Sequence, residues 1–440
     1  MKNNYNCISK NELIKLLEKR DNKIKSLSKK LDERDNKINQ IERRLLAYEN
    51  AHTPSSKQMF KKRKIKKSRK LGAPKGHPKY ERVKPIPNLT IEYSEDSCIF
   101  CNAKLGPPIE TKIILEEEIP EPQPIQVTEH KINCYICFKC KKKIIAKNNA
   151  PRGCFGKNVH SHVTLLKFED RLPLRKVETS LQRHYGITIT NTGIYGITKR
   201  VAKKLGNPYY DIIKIIRSAD ILYIDETKYK LNGQTWWLWT FVCKDAVLFV
   251  IRKSRSKDVI EEILGKKFNG KIVSDGWKAY AKFAEILQRC WAHLLRECDR
   301  LEERYEGFKN MNKQIHELFG EICKIREDPP PEDERKILQE EMKKRLEYIA
   351  RNMLSDYRFR KLGNKILNGL SAWFTCVVYT DVEPTNNFAE QALRELIVQR
   401  KIMGGLRSED GAMILERLST CITSWKKQEK PLFETLRSYL

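Results

Sequence analysis

Apolar residues recur at every seventh position near the start of the chain: Leu17, Ile24, Leu31, Ile38 and Leu45, with Leu13, Leu27, Ile41 and Tyr48 filling a second seam. A seven-residue repeat keeps apolar side chains on one stripe of a helix, and the charged residues around it suit two helices wound together. Residues 12 to 49 are therefore expected to form one helix of a coiled coil. Arg20 and Arg34 interrupt the second seam, which weakens it and helps select a register. An amphipathic helix packed on its own domain would carry the same stripe.

A second helical pattern occupies residues 160 to 206. Ser161 to Leu172 predicts one helix, and Pro173, suited to a helix start, opens another that runs to about Tyr185. Gly186 marks a turn, and Thr190 or Asn191 can cap a third helix through Lys204. That third helix carries Lys199, Arg200, Lys203 and Lys204. A short helix, a glycine turn and a basic helix follow the grammar of helix-turn-helix DNA binding, although three helices packed without DNA read the same way.

The period then changes. Ile221 to Asp225 reads as a strand, and Gln234 to Cys243 and Ala246 to Arg252 flank Lys244-Asp245 as a hairpin. A helix is expected at Lys257 to Leu264, before a strand from Lys271 to Ser274 that ends at Asp275. Trp236, Trp237 and Trp239 are expected to pack this sheet rather than to stack on bases. After Cys290-Trp291-Ala292-His293 the chain turns helical and highly charged to about Leu370. Phe374 to Tyr379 predicts a strand, and a helix follows from Asn386. The fold class is multidomain α+β.

Charge narrows the partners. Eighty-six Lys and Arg against 56 Asp and Glu leave a formal charge of +30 over 440 residues. Such an excess favours a polyanion, because neutralised phosphates release counterions. Between Lys57 and Lys70 there are basic residues and no acidic ones, including Lys61, Lys62, Arg63, Lys64, Lys66 and Lys67, and Pro and Gly cluster immediately after. This stretch reads as a flexible basic linker that orders on DNA. Neither a signal-peptide core nor a bilayer-spanning apolar run is evident, so the expected location is cytoplasmic and nucleoid-associated.

The 13 cysteines, an odd number, suit a reducing compartment and metal binding. Cys98-x-x-Cys101 and Cys134-x-x-Cys137-x-x-Cys140 can supply four thiolates to a structural tetrahedral zinc. Either Cys134/Cys137 or Cys137/Cys140 could form the second knuckle, and His130 and Cys154 read as bystanders.

Three acids stand out. Asp225 and Asp275 are expected at strand ends, and Glu390 one turn into a helix. Strand-end Asp, strand-end Asp and helix-borne Glu is the order of acids in a ribonuclease-H-like DDE nuclease, whose carboxylates hold a metal pair against a phosphodiester. Taken singly, each could be a strand cap, a turn residue or an exposed helix charge. Glu226 is the alternative ligand beside Asp225, and His293 reads as structural rather than DNA-contacting. Arg394, Arg400 and Lys401 are candidate phosphate contacts, and no Walker-type phosphate loop is evident.

In this order the motifs resemble those of IS66 family transposases. The resemblance covers nearly the whole length. It includes the N-terminal zipper-like helix, the cysteine module, Asp170-Arg171-Leu172-Pro173-Leu174, Asp225-Glu226-Thr227, Ser274-Asp275-Gly276 and Cys290-Trp291-Ala292-His293. Its last elements are Asn386-Asn387-Phe388-Ala389-Glu390-Gln391-Ala392-Leu393-Arg394 and Arg400-Lys401. Lys228 and the segment Lys401 to Arg407 depart from the commoner pattern.

The resemblance implies catalytic, magnesium-holding roles for Asp225, Asp275 and Glu390. Two Mg2+ per site are implied, with Mn2+ able to replace them, as is structural Zn2+ on Cys98, Cys101, Cys137 and Cys140, with Cys134 extra. It implies double-stranded DNA partners (element terminal repeats and target DNA), a homodimer or higher oligomer through the coiled coil, and accessory transposition proteins as further candidates. The layout expected is a coiled-coil helix at 1–50, a basic linker at 51–90, a zinc-binding module at 91–155 and a helix-turn-helix segment at 156–210. A ribonuclease-H-like catalytic domain at 211–440 completes it, with a helical insertion at about 300–370. The rival readings are a non-catalytic DNA-binding regulator derived from a transposase and a structure-selective nuclease of the same fold.

Overall fold

The structure is a computed structural model and describes residues 17–28, 31–35, 38, 86–87, 89–94, 96–97, 99–107, 113–115, 125–145, 153–276, 280 and 283–440. The basic stretch with Lys61, Lys62, Arg63, Lys64, Lys66 and Lys67, and also Cys98, lie outside the described residues. The chain divides into two compact units, Met1–Glu121 and Pro122–Leu440.

In the first unit, residues 17–28, 31–35 and 38 are helical (α1). Leu17, Ile24, Leu31 and Ile38, the first-seam residues described, are each at least half exposed, and Leu27 of the second seam is 53% exposed. Among the described residues the stripe is thus not buried within the single chain. Further on, an antiparallel bridge joins Ser97 to Lys104, and Leu105 N–H donates to the Asp96 carbonyl over 3.0 Å.

The second unit opens with a short hairpin, β1 (Cys134–Ile136) against β2 (Lys143–Ile145), in the register Ile136 to Lys143. Four helices follow: α2 (Lys157–Phe168), α3 (Leu174–Tyr185), α4 (Asn191–Lys204) and α5 (Gly206–Arg217). The expected punctuation holds for α3 and α4. Pro173 precedes α3, Gly186 ends it with a φ of 66°, and the Thr190 hydroxyl caps α4 by accepting from Gly193 N–H at 3.1 Å. The apolar faces of these helices belong to the same hydrophobic core as one face of the sheet.

The sheet comprises β3 (Ile221–Leu231), β4 (Gln234–Val242), β5 (Val247–Arg252), β6 (Phe268–Ser274) and β7 (Ala284–Arg289), with α6 (Lys257–Leu264) between β5 and β6. Its order is β5-β4-β3-β6-β7. The β3–β4 and β4–β5 pairs are antiparallel, whereas β6 pairs parallel with both β3 and β7. β3 runs six residues past the expected end at Asp225 and turns at Asn232-Gly233, whose φ values are 47° and 75°. A two-residue turn with both residues left-handed matches the twist of a hairpin, and Asn-Gly is its strongest sequence signal.

Alternation along β3 divides the core. Leu222 and Ile224 face the helices α2 to α6, while Tyr223, Tyr229 and Leu231 face the other side. That second face is covered by helices α7 (Trp291–Glu302), α8 (Lys309–Glu327), α9 (Glu332–Asn352), α10 (Tyr357–Leu367), α11 (Thr375–Val378) and α12 (Asn387–Met403). The expected strand over Phe374 to Tyr379 is instead a buried turn of helix, Thr375–Val378. A short continuous apolar run reads alike as strand or buried helix. Here Thr375 Oγ1 donates to the Leu287 carbonyl at 2.6 Å and Cys376 N–H to Gln288 Oε1 at 2.8 Å, so the segment caps β7 without joining the sheet.

Helix α13 (Glu409–Lys427) seals the other edge, and α14 (Leu432–Ser438) follows it. Ser424 Oγ, Thr420 Oγ1 and Glu416 Oε1 accept from the β5 amides of Val247, Phe249 and Ile251 at 3.0, 3.0 and 2.6 Å. Four helical residues rise about 6 Å and two strand residues about 6.8 Å, so one polar stripe matches successive free amides. The edge is thereby closed to pairing with another strand.

Candidate active site

Asp225 sits in the middle of β3, two residues past Tyr223, where the parallel pairing with β6 ends. Asp275 directly follows β6. Gly276, with a φ of 88°, then turns the chain across the side chain of Arg289. The register of Tyr223 with Val273 therefore sets the two aspartates level with one another on neighbouring parallel strands. Glu390 lies in the first turn of α12, whose Ala389, Leu393 and Leu396 pack on the sheet face that Tyr223 shares. Strand alternation puts Asp225 on that face and Glu226 on the opposite one.

The electrostatics join the three acids. The Asp225 carboxyl is pushed up to about 7, first by burial and then by the charges of Glu226, Asp275 and Glu390. Its Oδ1 accepts one amide hydrogen bond, from Glu226 N–H at 3.0 Å. Glu226 is differently supplied: its side chain is 1% exposed, Arg255 Nε donates to Oε1 at 2.6 Å and the Tyr280 hydroxyl to Oε2 at 2.5 Å. Arg255 also reaches Asp275 Oδ2 at 3.5 Å and lies over the Trp237 ring.

Glu390 faces α7. Cys290, the N-cap of that helix, His293 and Arg296 are spaced by three residues, so they share one face. Arg296 Nη2 donates to Glu390 Oε1 at 2.8 Å, and His293 Nδ1 lies 3.6 Å from the same oxygen. His293 Nδ1 is buried without a hydrogen-bond partner. Among the described residues, Cys290, His293 and Glu390 are the set of three whose ligand atoms lie within 4.8 Å of one another. Asp225, Asp275 and Glu390 share a field without such close contact. Their ligand type, carboxylate oxygen, is the one a hard divalent cation prefers.

The other expected site residues are more dispersed. Lys199 pairs with Asp410, while Arg200 and Lys203 on the same helix are exposed. Arg394 and Lys401 are exposed on α12, and Arg400 lies over the Tyr229 ring and donates to the Lys228 carbonyl. Sequence reasoning did not single out Arg255, Tyr280 or Arg296 for the site. Arg255 is in a loop with no local signal, whereas Arg296 could have been found from its three-residue spacing to His293.

The two cysteine segments repeat one local shape. Cys137 N–H donates to the Lys142 carbonyl at 2.9 Å and Lys141 N–H to the Cys137 carbonyl at 2.8 Å, with Lys141 at a φ of 57°. In the first unit Asn102, directly after Cys101, has a φ of 60°. Hydrogen bonds involving Cys140, chiefly its backbone, hold the Cys137 thiol below its usual range.

Residues 152–414, more than half of the chain, match the model of the Transposase IS66 family. The chain belongs to that family. The IS66 match spans all three acids, Cys290 and His293, and it implies an enzyme that cleaves DNA and transfers strands with a divalent-metal requirement. Comparison with curated proteins finds no match. Among the described residues, no helix is long and apolar enough to cross a membrane.

Proposed function

We propose that this IS66 family protein is a DNA transposase that binds the terminal repeats of a mobile element, cleaves at its ends and joins the freed 3′-hydroxyls to target DNA. The carrying observation is the placement of Asp225 and Asp275 side by side on adjacent parallel strands, with Glu390 in the first turn of a helix on the sheet face that Asp225 shares. Burial, then the charges of Glu226, Asp275 and Glu390, push the Asp225 carboxyl up to about 7. A buried carboxylate next to like charges is held for a cation rather than for fold stability. The sheet order β5-β4-β3-β6-β7 with its switch from antiparallel to parallel pairing at β3 supports a ribonuclease-H-like core.

Asp225, Asp275 and Glu390 would hold two magnesium ions, with manganese able to replace them. When bound, such ions activate the attacking oxygen and neutralise charge developing on the phosphate. Asp225 contributes its negative charge once deprotonated. Arg255, between Glu226 and Asp275, keeps Asp275 oriented. The opposite-face position of Glu226, satisfied by Arg255 and Tyr280, favours Asp225 as the ligand. Exposed Arg200, Arg394 and Lys401 would contact phosphates, together with the basic linker. The helices α2 to α4 would serve as the helix-turn-helix segment. The matching left-handed residues after Cys101 and Cys140 favour Cys98, Cys101, Cys137 and Cys140 as the ligands of a structural zinc. The half-exposed stripe on α1 supports self-association of the chain.

The test is direct. Full-length protein is incubated with labelled DNA taken from the two flanks of its coding sequence, where imperfect inverted repeats are expected, a target plasmid and magnesium. Cut ends bearing a 3′-hydroxyl and joined products are expected, both abolished by chelation. Binding without cutting would favour a DNA-binding regulator, and cutting without joining a structure-selective nuclease.

A further inference from the structure

We propose that Cys290, His293 and Glu390 form a second metal site, selective for a thiophilic divalent ion such as zinc, whose filling withdraws Glu390 from catalysis. The binding half stands on the geometry of these three residues. The inhibitory half rests on the reading of Glu390 as a catalytic acid.

Cys290 and His293 lie at the start of α7 with the two-residue gap of a metal knuckle, and their ligand atoms and a Glu390 oxygen fall within 4.8 Å of one another. Ligands around tetrahedral zinc sit about 3.5 Å apart, given bonds of about 2.0 to 2.3 Å. A small rotation of each side chain therefore closes the set, and His293 Nδ1 already lies 3.6 Å from Glu390 Oε1. Two further features point to a ligand. His293 Nδ1 is a buried nitrogen with no hydrogen-bond partner. The Cys290 sulfur accepts the Asn386 backbone N–H at 3.1 Å, an outer contact of the kind that orients a metal ligand.

Ligand type sets the selectivity. Thiolate and imidazole favour zinc, whereas magnesium takes oxygen ligands. Asp225 and Asp275 offer oxygen only, so the two classes of ion would meet at Glu390 alone. Arg296, whose side chain is half exposed, now occupies Glu390 Oε1 and can swing outward when an ion arrives. Three protein ligands leave one position for water or a phosphate oxygen.

The experiment uses the full chain without DNA, dialysed against buffered free zinc, with bound zinc counted per chain. Wild type is expected to hold one zinc more than His293→Ala and Cys290→Ser. His293→Ala is the decisive variant, because loss of the Asn386 contact could unfold Cys290→Ser. Cleavage is then followed in excess magnesium as zinc is added, each protein scored against its own zinc-free rate. The half-inhibiting zinc concentration should rise at least about tenfold in His293→Ala. Equal zinc content in folded wild type and His293→Ala overturns the site. Extra zinc without inhibition overturns the regulatory half. A wild type that gains the extra zinc yet never cuts DNA in magnesium alone supports the metal site and sinks the transposase chemistry instead.

Discussion

Asn386 donates from its side-chain amide to the backbone carbonyl of Ile224 across 2.8 Å. Ile224 immediately precedes Asp225, and the Asn386 carbonyl accepts from Glu390 N–H at 3.1 Å. With its own N–H on the Cys290 sulfur, this fully buried residue ties strand β3, helix α7 and helix α12 at one point. The spacing of the two acids on β3 and α12 thus depends on a neutral side chain between them.

Asn386→Ala should therefore lower cleavage far more than DNA binding. A misplacement of about 1 Å can reduce rate by about a hundredfold, and the magnesium needed for half-maximal cleavage should rise as well. Thermal melting would register the lost buried hydrogen bond, about 1 to 3 kcal/mol. Wild-type cleavage across a magnesium series would show that the amide plays no part in spacing the acids.

The pH behaviour of Asp225 has a definite sign. Its carboxyl is raised to about 7 from about 3.8, so the folded, metal-free protein binds a proton that the unfolded chain releases. The stability from that proton is complete below about pH 4 and is lost as pH rises through about 7. Asp225→Asn should consequently melt higher than wild type at pH 8 in chelator, with the difference vanishing toward pH 4. Magnesium binding to wild type should tighten through the same upper range. A melting difference independent of pH would mean that Asp225 is not held up in this way.

Much of this architecture was legible in the chain. The α6 boundaries, the β4–β5 hairpin and the caps at Pro173, Gly186 and Thr190 follow from local chemistry that tertiary contacts do not override. The end of β3 was missed because the apolar run stops at Ile224 while pairing with β4 continues to Leu231; Asn232-Gly233 carried the correcting signal. Phe374 to Tyr379 failed for a different reason, since burial of Phe374 to Val377 on every side erases the period that separates strand from helix. The settings of Asp275 after a strand and Glu390 in the first turn of a helix were readable, whereas Asp225 lies within β3 rather than at its end, and the surroundings of all three were not legible. Arg255 and Tyr280 meet Glu226 only after loops close, and no spacing along the chain encodes that.

Zinc content offers an independent check on the cysteine module. Cys137→Ser should lose about one zinc per chain, the content of one four-thiolate site, and expose the β1–β2 hairpin to proteolysis, since the metal contributes to folding of such modules. Cys134→Ser should keep it. Zinc loss in Cys134→Ser, with Cys140→Ser keeping the metal, would make Cys134/Cys137 the second knuckle, despite the left-handed residue after Cys140.

The exposed stripe on α1 gives a prediction about mass. Leu31 and Ile38 are 53% and 51% exposed in the single chain, so a partner helix is what would bury them. Replacing both with Asp puts carboxylates into the seam, where desolvation is unfavourable. Light scattering should then report a smaller species than wild type. An unchanged mass would show that self-association, if present, uses another surface.

The adjacent acids Asp225 and Glu226 provide the sharpest contrast, because strand alternation sends them to opposite faces of the sheet. Asp225→Asn, Asp275→Asn and Glu390→Gln each keep side-chain size while removing a charge that a magnesium ion needs, and each should nearly abolish cleavage and joining. Binding to terminal DNA should survive in all three, since its phosphate contacts come from basic residues elsewhere. Glu226→Gln retains an oxygen for Arg255 or Tyr280 and leaves the Glu390 face untouched, so substantial activity should remain, as with a change at exposed Glu409. The measurement is cutting and joining of a labelled element end in magnesium, with end binding followed on the same proteins. Wild-type activity in Glu390→Gln would remove Glu390 from the site. Inactivity of Glu226→Gln in a folded, DNA-binding protein would show that the face opposite Glu390 also takes part in the chemistry.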